Sequence, residues 1–380
     1  MKKYLLLLGA ALCCTTMFTA CSEDDDEVVI KPEPTTRGVY VVNSGNAWNG
    51  INGSLTAYDN VAGRAQDGAD AFANANGRSL GATPNDGLVY GSKLYIVVDG
   101  ESRVEVLNAN TLKSIKAIST VELLGEQAGF SPRHIVARDG LVYVSTYGGA
   151  VAAIDTTDYS LKASYTVGSY PEGLAFVGNT LYVANSDYGM AQNASISAIN
   201  LTTGAVSEIK DELVKNPSAL VSAGNALYIV DGDVYGGAPD YALVSMGGLR
   251  KLENGAVSQV MNGSMTMGAN QIATYDGKVY VMQDSYWEPK LVVIDTATDA
   301  ISPQALNTTG NVSFTMGLVN GLGIDPSNGD IYTVCYSINA DTGYGDYSAP
   351  GFANRFSNDG TFIGSFATGV GPTAVIFNQQ

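Results

Sequence analysis

The chain has 380 residues, of which 45% are hydrophobic and 15% charged, and its 37 acidic and 20 basic residues give a formal net charge of −17 at pH 7. This charge repels polyanions, so nucleic acid is excluded as an expected ligand. The chain has a single histidine, which excludes a zinc site built on several histidines and an acid–base pair of two histidines.

The first 20 residues have the pattern of a bacterial lipoprotein signal peptide. A basic start at Lys2 and Lys3 precedes an apolar stretch, and Ala20 places a small residue before Cys21. We therefore expect residues 1–20 to be removed and Cys21 to be lipidated. The alternative is an ordinary secretory signal with an incidental cysteine. The apolar stretch is shorter than the ~20 residues of a spanning helix, so the lipid is the only membrane attachment expected.

A short acidic segment follows the cysteine. Residues 22–26 read Ser-Glu-Asp-Asp-Asp, which resembles the signal by which gut Bacteroidetes export lipoproteins across the outer membrane to the cell surface. Residues 21–36, the lipidated cysteine followed by acidic residues, prolines and threonines, are expected to form a flexible spacer. The expected location is the outer membrane, lipid-anchored and exposed on the cell surface.

The remainder of the chain, residues 37–380, is built from repeats of a Leu-Tyr or Val-Tyr pair. In four copies the tyrosine lies 11 residues after a proline, and the four pairs are Pro84 with Tyr95, Pro132 with Tyr143, Pro171 with Tyr182, and Pro217 with Tyr228. Tyr40, Tyr280 and Tyr332 mark three further copies. Successive tyrosines are 39 to 55 residues apart, close to the ~40–50 residues of a four-stranded propeller blade.

Each copy predicts four antiparallel strands. In the clearest copy, residues 134–138 form one apolar run, Asp139-Gly140 a turn, and residues 141–145 the return strand. An Asp-Gly pair between two such runs is a strong hairpin signal. A third strand follows at residues 151–155, and a fourth leads to the next proline. This is the composition of a propeller blade.

The two ends of the chain predict how the ring closes. The first copy has a tyrosine strand at residues 38–42 but no proline strand, whereas an unmatched proline strand stands at residues 372–377. The two halves complete one blade and remove an exposed edge. We therefore predict an all-β fold, a seven-bladed β-propeller closed by the C-terminal strand joining the first blade.

The loops that follow the tyrosine strands are expected to form the functional face, because they are long where the hairpin turns are short. They span residues 43–52, 185–193, 231–241, 283–289 and 336–352. The aromatic residues expected to contact a ligand on this face are Trp48, Tyr147, Tyr170, Tyr188, Tyr235, Tyr286, Trp287 and Tyr344. The alternative is that these side chains only pack the loops against one another.

A polar ring is expected at the mouth of the central channel. The positions after each proline, or its equivalent, are Asn85, Arg133, Glu172, Ser218, Asn270, Asn320 and Thr373. From this ring we assign Asn85, Arg133, Glu172 and Asn270 to ligand binding, since amides and hydroxyls suit a neutral, hydrogen-bonding ligand. Arg133 and Glu172 have an alternative role as an ion pair with each other. His134 is interpreted first as a hydrogen-bonded residue at a strand start.

No catalytic or metal-binding pattern stands out, so we predict that the protein is not an enzyme. Two calcium-like sequences, at residues 231–233 and 325–330, lack the terminal glutamate of a calcium loop and are interpreted as turns. Neither a phosphate-binding loop nor a nucleophile elbow is present. No metal and no cofactor are therefore expected.

The repeat resembles that of the YVTN-type seven-bladed propellers. Together with the lipoprotein start and the aromatic and amide loop face, it makes the chain similar to the BtuG family of Bacteroidetes surface lipoproteins. This resemblance implies vitamin transport, in which the protein captures cobalamin or another corrinoid and passes it to a TonB-dependent, BtuB-type outer-membrane transporter. The alternatives are a glycan-binding surface lipoprotein and, third, a propeller lactonase or lyase.

Overall fold

The computed structural model describes residues 35–66, 70–265, 270–283, 289–307 and 318–379. The expected signal peptide, Cys21 and the spacer up to residue 34 lie outside these ranges. Tyr286 and Trp287, both expected to contact a ligand, also lie outside them.

The described residues are mostly β-strand. In chain order the strands are β1 (Thr36–Asn43), β2 (Ser54–Asp59), β3 (Arg64–Gln66), β4 (Pro84–Tyr90), β5 (Lys93–Val98), β6 (Arg103–Asn108), β7 (Ser114–Ser119), β8 (Pro132–Arg138), β9 (Leu141–Thr146), β10 (Ala150–Asp155), β11 (Leu161–Thr166), β12 (Pro171–Val177), β13 (Thr180–Asn185), β14 (Ser195–Asn200), β15 (Val206–Ile209), β16 (Pro217–Ala223), β17 (Ala226–Asp231), β18 (Val234–Tyr235), β19 (Leu243–Ser245), β20 (Gly248–Glu253), β21 (Ala256–Asn262), β22 (Ile272–Tyr275), β23 (Lys278–Gln283), β24 (Lys290–Asp295), β25 (Ile301–Gln304), β26 (Leu318–Ile324), β27 (Ile331–Ile338), β28 (Gly345–Asp346), β29 (Pro350–Phe356), β30 (Phe362–Val370) and β31 (Pro372–Gln379).

Helices are short and lie in the connections. They are α1 (Ala71–Asn76), α2 (Thr120–Leu124) and α3 (Glu126–Gly129), with 3-10 turns at Ala47–Asn49, Asp99–Glu101 and Asp187–Gly189. In the part of the chain that the structure describes, no helix is long and apolar enough to cross a membrane.

The strands form seven antiparallel blades arranged in a ring. From the inside outwards, blade 1 is β31-β1-β2-β3, blade 2 is β4 to β7, blade 3 is β8 to β11, blade 4 is β12 to β15, blade 5 is β16-β17-β20-β21, blade 6 is β22 to β25, and blade 7 is β26-β27-β29-β30. Each innermost strand contacts the innermost strand of the next blade, and β26 contacts β31 to complete the ring. The predicted seven-bladed fold is confirmed, as is its closure by the C-terminal strand, since β31 pairs along β1 from Thr36 to Asn43.

The repeated tyrosines hold neighbouring blades together. Tyr95 of blade 2 is fully buried in a cluster with Ile135 and Val142 of blade 3, and Tyr228 of blade 5 packs in the same way towards blade 6. Tyr332 of blade 7 closes the circle, because its ring lies 5.4 Å from that of Phe377 on the C-terminal strand. The tyrosine repeat is therefore a packing repeat that ties each blade to its successor.

The hairpin between the first two strands of blade 3 has the geometry that its sequence predicts. Asp139 and Gly140 have φ values of 51° and 78°, the left-handed pair that a type I′ turn requires. Such turns lie at the end of the propeller opposite the long loops, and the two ends are called here the turn face and the loop face.

A register shift follows the proline, or its equivalent, in six of the seven innermost strands. The residues left out of the regular pairing are Asn85, Arg133 with His134, Glu172 with Gly173, Ser218, Asn320 and Thr373. A bulge of this kind redirects a side chain away from the regular face of a sheet. The predicted polar ring therefore consists largely of bulge residues at the start of the innermost strands.

Three details differ from expectation. Thr36, expected in the spacer, is the first residue of β1, and its hydroxyl donates to Asp325 at 2.6 Å. The loop expected at residues 231–241 extends to residue 247 and carries a small two-stranded sheet, β18 with β19. The loop expected from residue 336 begins later, because β27 continues to Ile338 in order to pair with β28.

Removal of the closing strand tests the architecture. Deleting residues 372–380 takes away the innermost strand of blade 1 and exposes both β1 and β26. We expect a loss of unfolding free energy far above the ~1 kcal/mol typical of a point substitution, measured by urea denaturation. Ile363→Thr, at a position 51% exposed on the outermost strand of blade 7, is the control and should change stability by less than about 0.5 kcal/mol. A truncated protein as stable as wild type would contradict closure by β31.

Candidate functional site

An arc of charged residues lies at the channel mouth on blades 2 to 4. Arg133 donates from Nη1 to Asp99 Oδ2 at 2.6 Å and from Nε to Glu172 Oε2 at 3.0 Å. Its guanidinium also lies 4.4 Å from the centre of the Tyr147 ring, a cation–π distance. The structure thus confirms the alternative of an Arg133–Glu172 ion pair, and Asp99 is a second partner.

His134 lies beside this pair and is nearly inaccessible. Its Nδ1 is 3.1 Å from Asp86 Oδ2, and its Nε2 is 3.5 Å from Glu172 Oε2. It is the hydrogen-bonded strand-start residue that the sequence indicated. A cavity of about 140 Å³ opens beneath it between the innermost strands, and its lining includes Asp86, His134, Leu174 and Leu220.

Burial and mutual charge set the protonation states in this arc. Burial acts to lower the pKa of His134, but the carboxylates of Asp86 and Glu172 outweigh it and the pKa is raised. Burial acts to raise the pKa of Glu172, but the charge of Arg133 and hydrogen bonds from His134 and Tyr147 hold that pKa below its usual range. The pKa of Tyr147 is raised, first by burial and then by the charge of Glu172. The phenol therefore stays protonated and donates to the carboxylate.

Three tyrosines form a continuous aromatic cluster above the arc, here called the tyrosine platform: Tyr147, Tyr170 and Tyr188. The ring centres of Tyr147 and Tyr170 are 5.2 Å apart, and those of Tyr170 and Tyr188 are 5.1 Å apart. Tyr147 donates its hydroxyl to Glu172, whereas Tyr188 is 66% exposed. The platform thus joins the buried charges at its base to an open aromatic surface.

The backbone under the platform is strained. Tyr170, Asp187 and Tyr188 have φ values of 50°, 52° and 54°, in the left-handed region that costs a residue with a side chain about 1–2 kcal/mol. Ser186 stabilises this backbone, because its N–H and its hydroxyl each donate to the Tyr170 carbonyl at 3.0 Å. The Ser186 Oγ in turn accepts from the Tyr188 N–H at 3.2 Å.

Asp187 organises the rest of this loop. Its buried carboxylate accepts from the backbone N–H groups of Gln192 at 3.0 Å and Asn193 at 2.8 Å. Burial acts to raise the pKa of Asp187, but these bonds outweigh it and the pKa is lowered. Hydrogen bonds within the loop thus fix the backbone that carries Tyr170 and Tyr188.

The other side of the mouth carries amides and hydroxyls. Asn270 of blade 6 donates from Nδ2 to the Asn85 carbonyl of blade 2 at 3.1 Å, a contact across the channel mouth. Asn85 itself donates to Asp99 at 3.4 Å, and Asn320 donates to the Pro372 carbonyl at 2.8 Å. The buried hydroxyl of Ser218 has no hydrogen-bond partner among the described residues.

The remaining predicted residues lie elsewhere on the loop face. Trp48 is 99% exposed on a 3-10 turn of blade 1, so packing against other loops does not explain it. Tyr235 is on β18 of blade 5 and donates to Asp233 at 3.2 Å. Tyr344 lies on blade 7 between β27 and β28 and is half exposed. The structure thus brings together Arg133, Tyr147, Tyr170, Glu172 and Tyr188, and separately Asn85 with Asn270.

Sequence reasoning missed three carboxylates of the site: Asp86, Asp99 and Asp187. Comparison of the repeats offered a signal for two of them, because Asp86 is two residues after Pro84 as His134 is after Pro132, and Asp99 is 15 residues after Pro84 as Tyr147 is after Pro132. Asp187 had no such signal, since its role depends on the conformation of one loop.

The donor set offers little to a metal ion. Within the described ranges, no group of three or more His, Cys, Asp or Glu side chains is arranged to hold one. Asp86, Asp99 and Glu172 are each engaged with Arg133 or His134. The arrangement is suited to holding a ligand by stacking and hydrogen bonds.

The fold and this site define a seven-bladed β-propeller with a rigid aromatic and polar surface at one mouth of its channel. The chain belongs to the family described as "Domain of unknown function (DUF5074)", whose model matches residues 37–365. No curated protein sequence matches the chain significantly.

Solved structures resemble the chain in fold alone, since their sequence identities are low. A hypothetical selenium-binding protein from Sulfolobus tokodaii has a TM-score of 0.62 at 11% identity, with 92% of this chain and 94% of that chain covered. Hydrazine synthase from Kuenenia stuttgartiensis has a TM-score of 0.54 at 16% identity, with 77% and 89% covered. TolB from Acinetobacter baumannii has a TM-score of 0.50 at 12% identity, with 91% and 68% covered.

The role of Asp187 gives a prediction with a defined pH dependence. Because its folded pKa is lowered from 3.8, its stabilisation is present above the ordinary carboxyl pKa and is lost as the pH falls through the lowered value. Asp187→Asn should cost about 1.5–3 kcal/mol at pH 7, the range for hydrogen bonds to a charged group. Urea denaturation at pH 7 and at a pH below 3.8 should show this difference shrinking at the lower pH. Asp139→Asn, which removes an 89% exposed carboxylate on the turn face, should show no such difference. An equal loss at both pH values would contradict the role assigned to the charge.

Proposed function

We propose that this protein is a cell-surface lipoprotein of the outer membrane that captures cobalamin or related corrinoids and passes them to a TonB-dependent, BtuB-type transporter. The proposal combines the site geometry with the sequence resemblance to the YVTN-type propellers and to the BtuG family. It assigns no reaction to the protein, and cobalamin is the transported ligand.

The observation that carries the proposal is the preorganised tyrosine platform beside the polar channel mouth. Tyr170 and Tyr188 are held out towards solvent on a strained backbone, and Tyr147 is fixed from below by Arg133 and Glu172. Strain of this kind persists where the surrounding structure enforces it, and it concentrates at ligand sites. A rigid aromatic surface of this sort favours capture of a broad, flat ligand.

The chemistry of a corrinoid suits this surface. A corrin is a partly apolar disc whose edge carries amide groups, so its face would stack on aromatic rings while its amides bond to the mouth. The amides of Asn85 and Asn270 are suited to such groups. Arg133 is already paired with two carboxylates, which disfavours an anionic ligand.

The position of the N-terminal attachment supports capture at a surface. β1 runs from Thr36, which contacts Asp325, to Asn43, where the loop that carries Trp48 begins. The chain therefore enters the propeller at the turn face. With Cys21 lipidated, the lipid would be linked to the propeller through the start of β1 at the turn face.

Binding of cyanocobalamin is the direct test. We expect one ligand per chain by isothermal titration calorimetry, and a protein that stays coloured after desalting. Tyr188→Ala and Trp48→Ala should each weaken binding by roughly 1–3 kcal/mol, the range for an aromatic anchor at an interface. Neither change should lower the unfolding temperature much, since both side chains are largely exposed.

Asp139→Ala on the turn face is the matched control and should leave the affinity unchanged. If cyanocobalamin gives no heat and no spectral change at micromolar protein, the corrinoid proposal fails, and oligosaccharides become the next ligands to test. If binding is lost in the Asp139 variant but kept in both aromatic variants, the binding site lies on the turn face and the assignment to the loop face is wrong.

The cellular location has its own test. Proteinase added to intact cells should degrade the wild-type protein, because surface display exposes the propeller. Cys21→Ala should release the protein from the outer membrane or leave it in another compartment, as judged by fractionation and immunoblotting. A periplasmic protein of known location serves as the control for cell integrity. Protection in intact cells combined with degradation after lysis would contradict surface display.

A further inference from the structure

His134 lies between two carboxylates, one facing each of its ring nitrogens. One ring nitrogen lies 3.1 Å from Asp86 and the other 3.5 Å from Glu172. A neutral imidazole has a single N–H, so its other nitrogen would present a lone pair to a carboxylate oxygen. Only the doubly protonated ring can donate in both directions. The geometry therefore favours an imidazolium at this position.

The charges around the ring come from three blades. Asp86 approaches from β4, Glu172 from β12, and Arg133 precedes His134 on its own strand β8. Asp99 and Tyr147 reach the cluster through Arg133 and Glu172. Two cations thus face three carboxylates when His134 is protonated, and loss of the proton leaves one cation against the same three.

The cavity beneath the ring has a lining that includes both Asp86 and His134. At about 140 Å³ it is large enough to hold water molecules, since one water occupies about 30 Å³ of liquid volume. Water in this cavity would give protons a route to the otherwise buried ring.

Glu172 connects His134 to the tyrosine platform. Glu172 meets His134 and Arg133 through Oε2, and it accepts the hydroxyl of Tyr147 through Oε1. The shorter distance lies on the Asp86 side, so the neutral ring keeps its proton there and turns a lone pair towards Glu172. This lone pair then repels the carboxylate of Glu172, which fixes Tyr147 at the base of the tyrosine platform.

We propose that His134 is a positioning residue whose double protonation locks Glu172 and Tyr147 in place, so that ligand capture at the tyrosine platform is controlled by pH. This rests on the proposed function in one respect, since it takes the platform to be part of the corrinoid site. It adds a form of regulation that the capture proposal does not contain.

The direction of the pH dependence follows from the raised pKa of His134. Its stabilising contribution is complete below the unfolded value of 6.5 and is lost as the pH rises through the folded value. Capture is therefore strongest below pH 6.5 and weakens as the pH rises through the folded pKa of His134.

The first measurement needs no ligand. His134 is the only histidine of the chain, so one imidazole signal in a long-range ¹H–¹⁵N spectrum reports its titration directly. We expect a midpoint above 6.5, lowered in Asp86→Asn because one of the two carboxylates is removed. The ring signal of Tyr147, assigned by comparison with Tyr147→Phe, should shift with the same midpoint. A His134 midpoint at or below 6.5, or a Tyr147 signal that does not follow His134, would overturn the proposal.

The second measurement is the affinity for cyanocobalamin across the same pH range, restricted to conditions in which circular dichroism shows the fold intact. We expect the affinity to fall roughly tenfold through the His134 midpoint, about the contribution of one charge-assisted hydrogen bond. The midpoint should move down in Asp86→Asn and stay in place in the turn-face control Asp139→Asn. A flat profile while His134 titrates would overturn the proposal. If cyanocobalamin binds at no pH, the capture function fails, and the Tyr147 signal alone still decides the role of His134.

Discussion

Closure of the ring is the constraint on which the rest of the structure depends. Each blade packs its repeated tyrosine against the next blade, as Tyr95 does against Ile135, so every blade needs a successor. Blade 7 finds its successor only because β31 returns to pair with β1, which brings Phe377 against Tyr332. The hydrophobic packing between blades and the pairing of the two chain ends are thus a single cooperative arrangement.

Closure also creates the site, because it gathers the starts of seven innermost strands at one mouth. The bulges after the prolines release polar residues from the sheets at this point, where no single blade would have partners for them. Arg133 is stable there because blade 2 supplies Asp99 and blade 4 supplies Glu172. The cost of burying this cation is offset by neighbours that only the ring provides.

The tyrosine platform shows how local strain is maintained by this rigid support. Ser186 and Asp187 hold the left-handed backbone of Tyr170 and Tyr188 through hydrogen bonds to main-chain groups. Below them, Tyr147 is bound to a carboxylate that also meets Arg133 and His134. The platform is therefore supported both by its own loop and by the buried charges at its base.

The sequence by itself determined the blade and the ring. Proline-to-tyrosine spacing, alternating strands, Asp139-Gly140 and the unmatched strand at residues 372–377 are signals carried by neighbouring residues, and they identified seven blades, their closure and a polar ring at the mouth. Only the tertiary structure decided which of those polar residues meet. Asn85 and Asn270 are 185 positions apart in the sequence, and Asp86 meets His134 from the neighbouring blade. The diameter and twist of the closed ring set the distances between these residues. The left-handed conformation of Tyr170 and Asp187 was equally beyond sequence reasoning, since residues with side chains adopt it only when surrounding contacts enforce it.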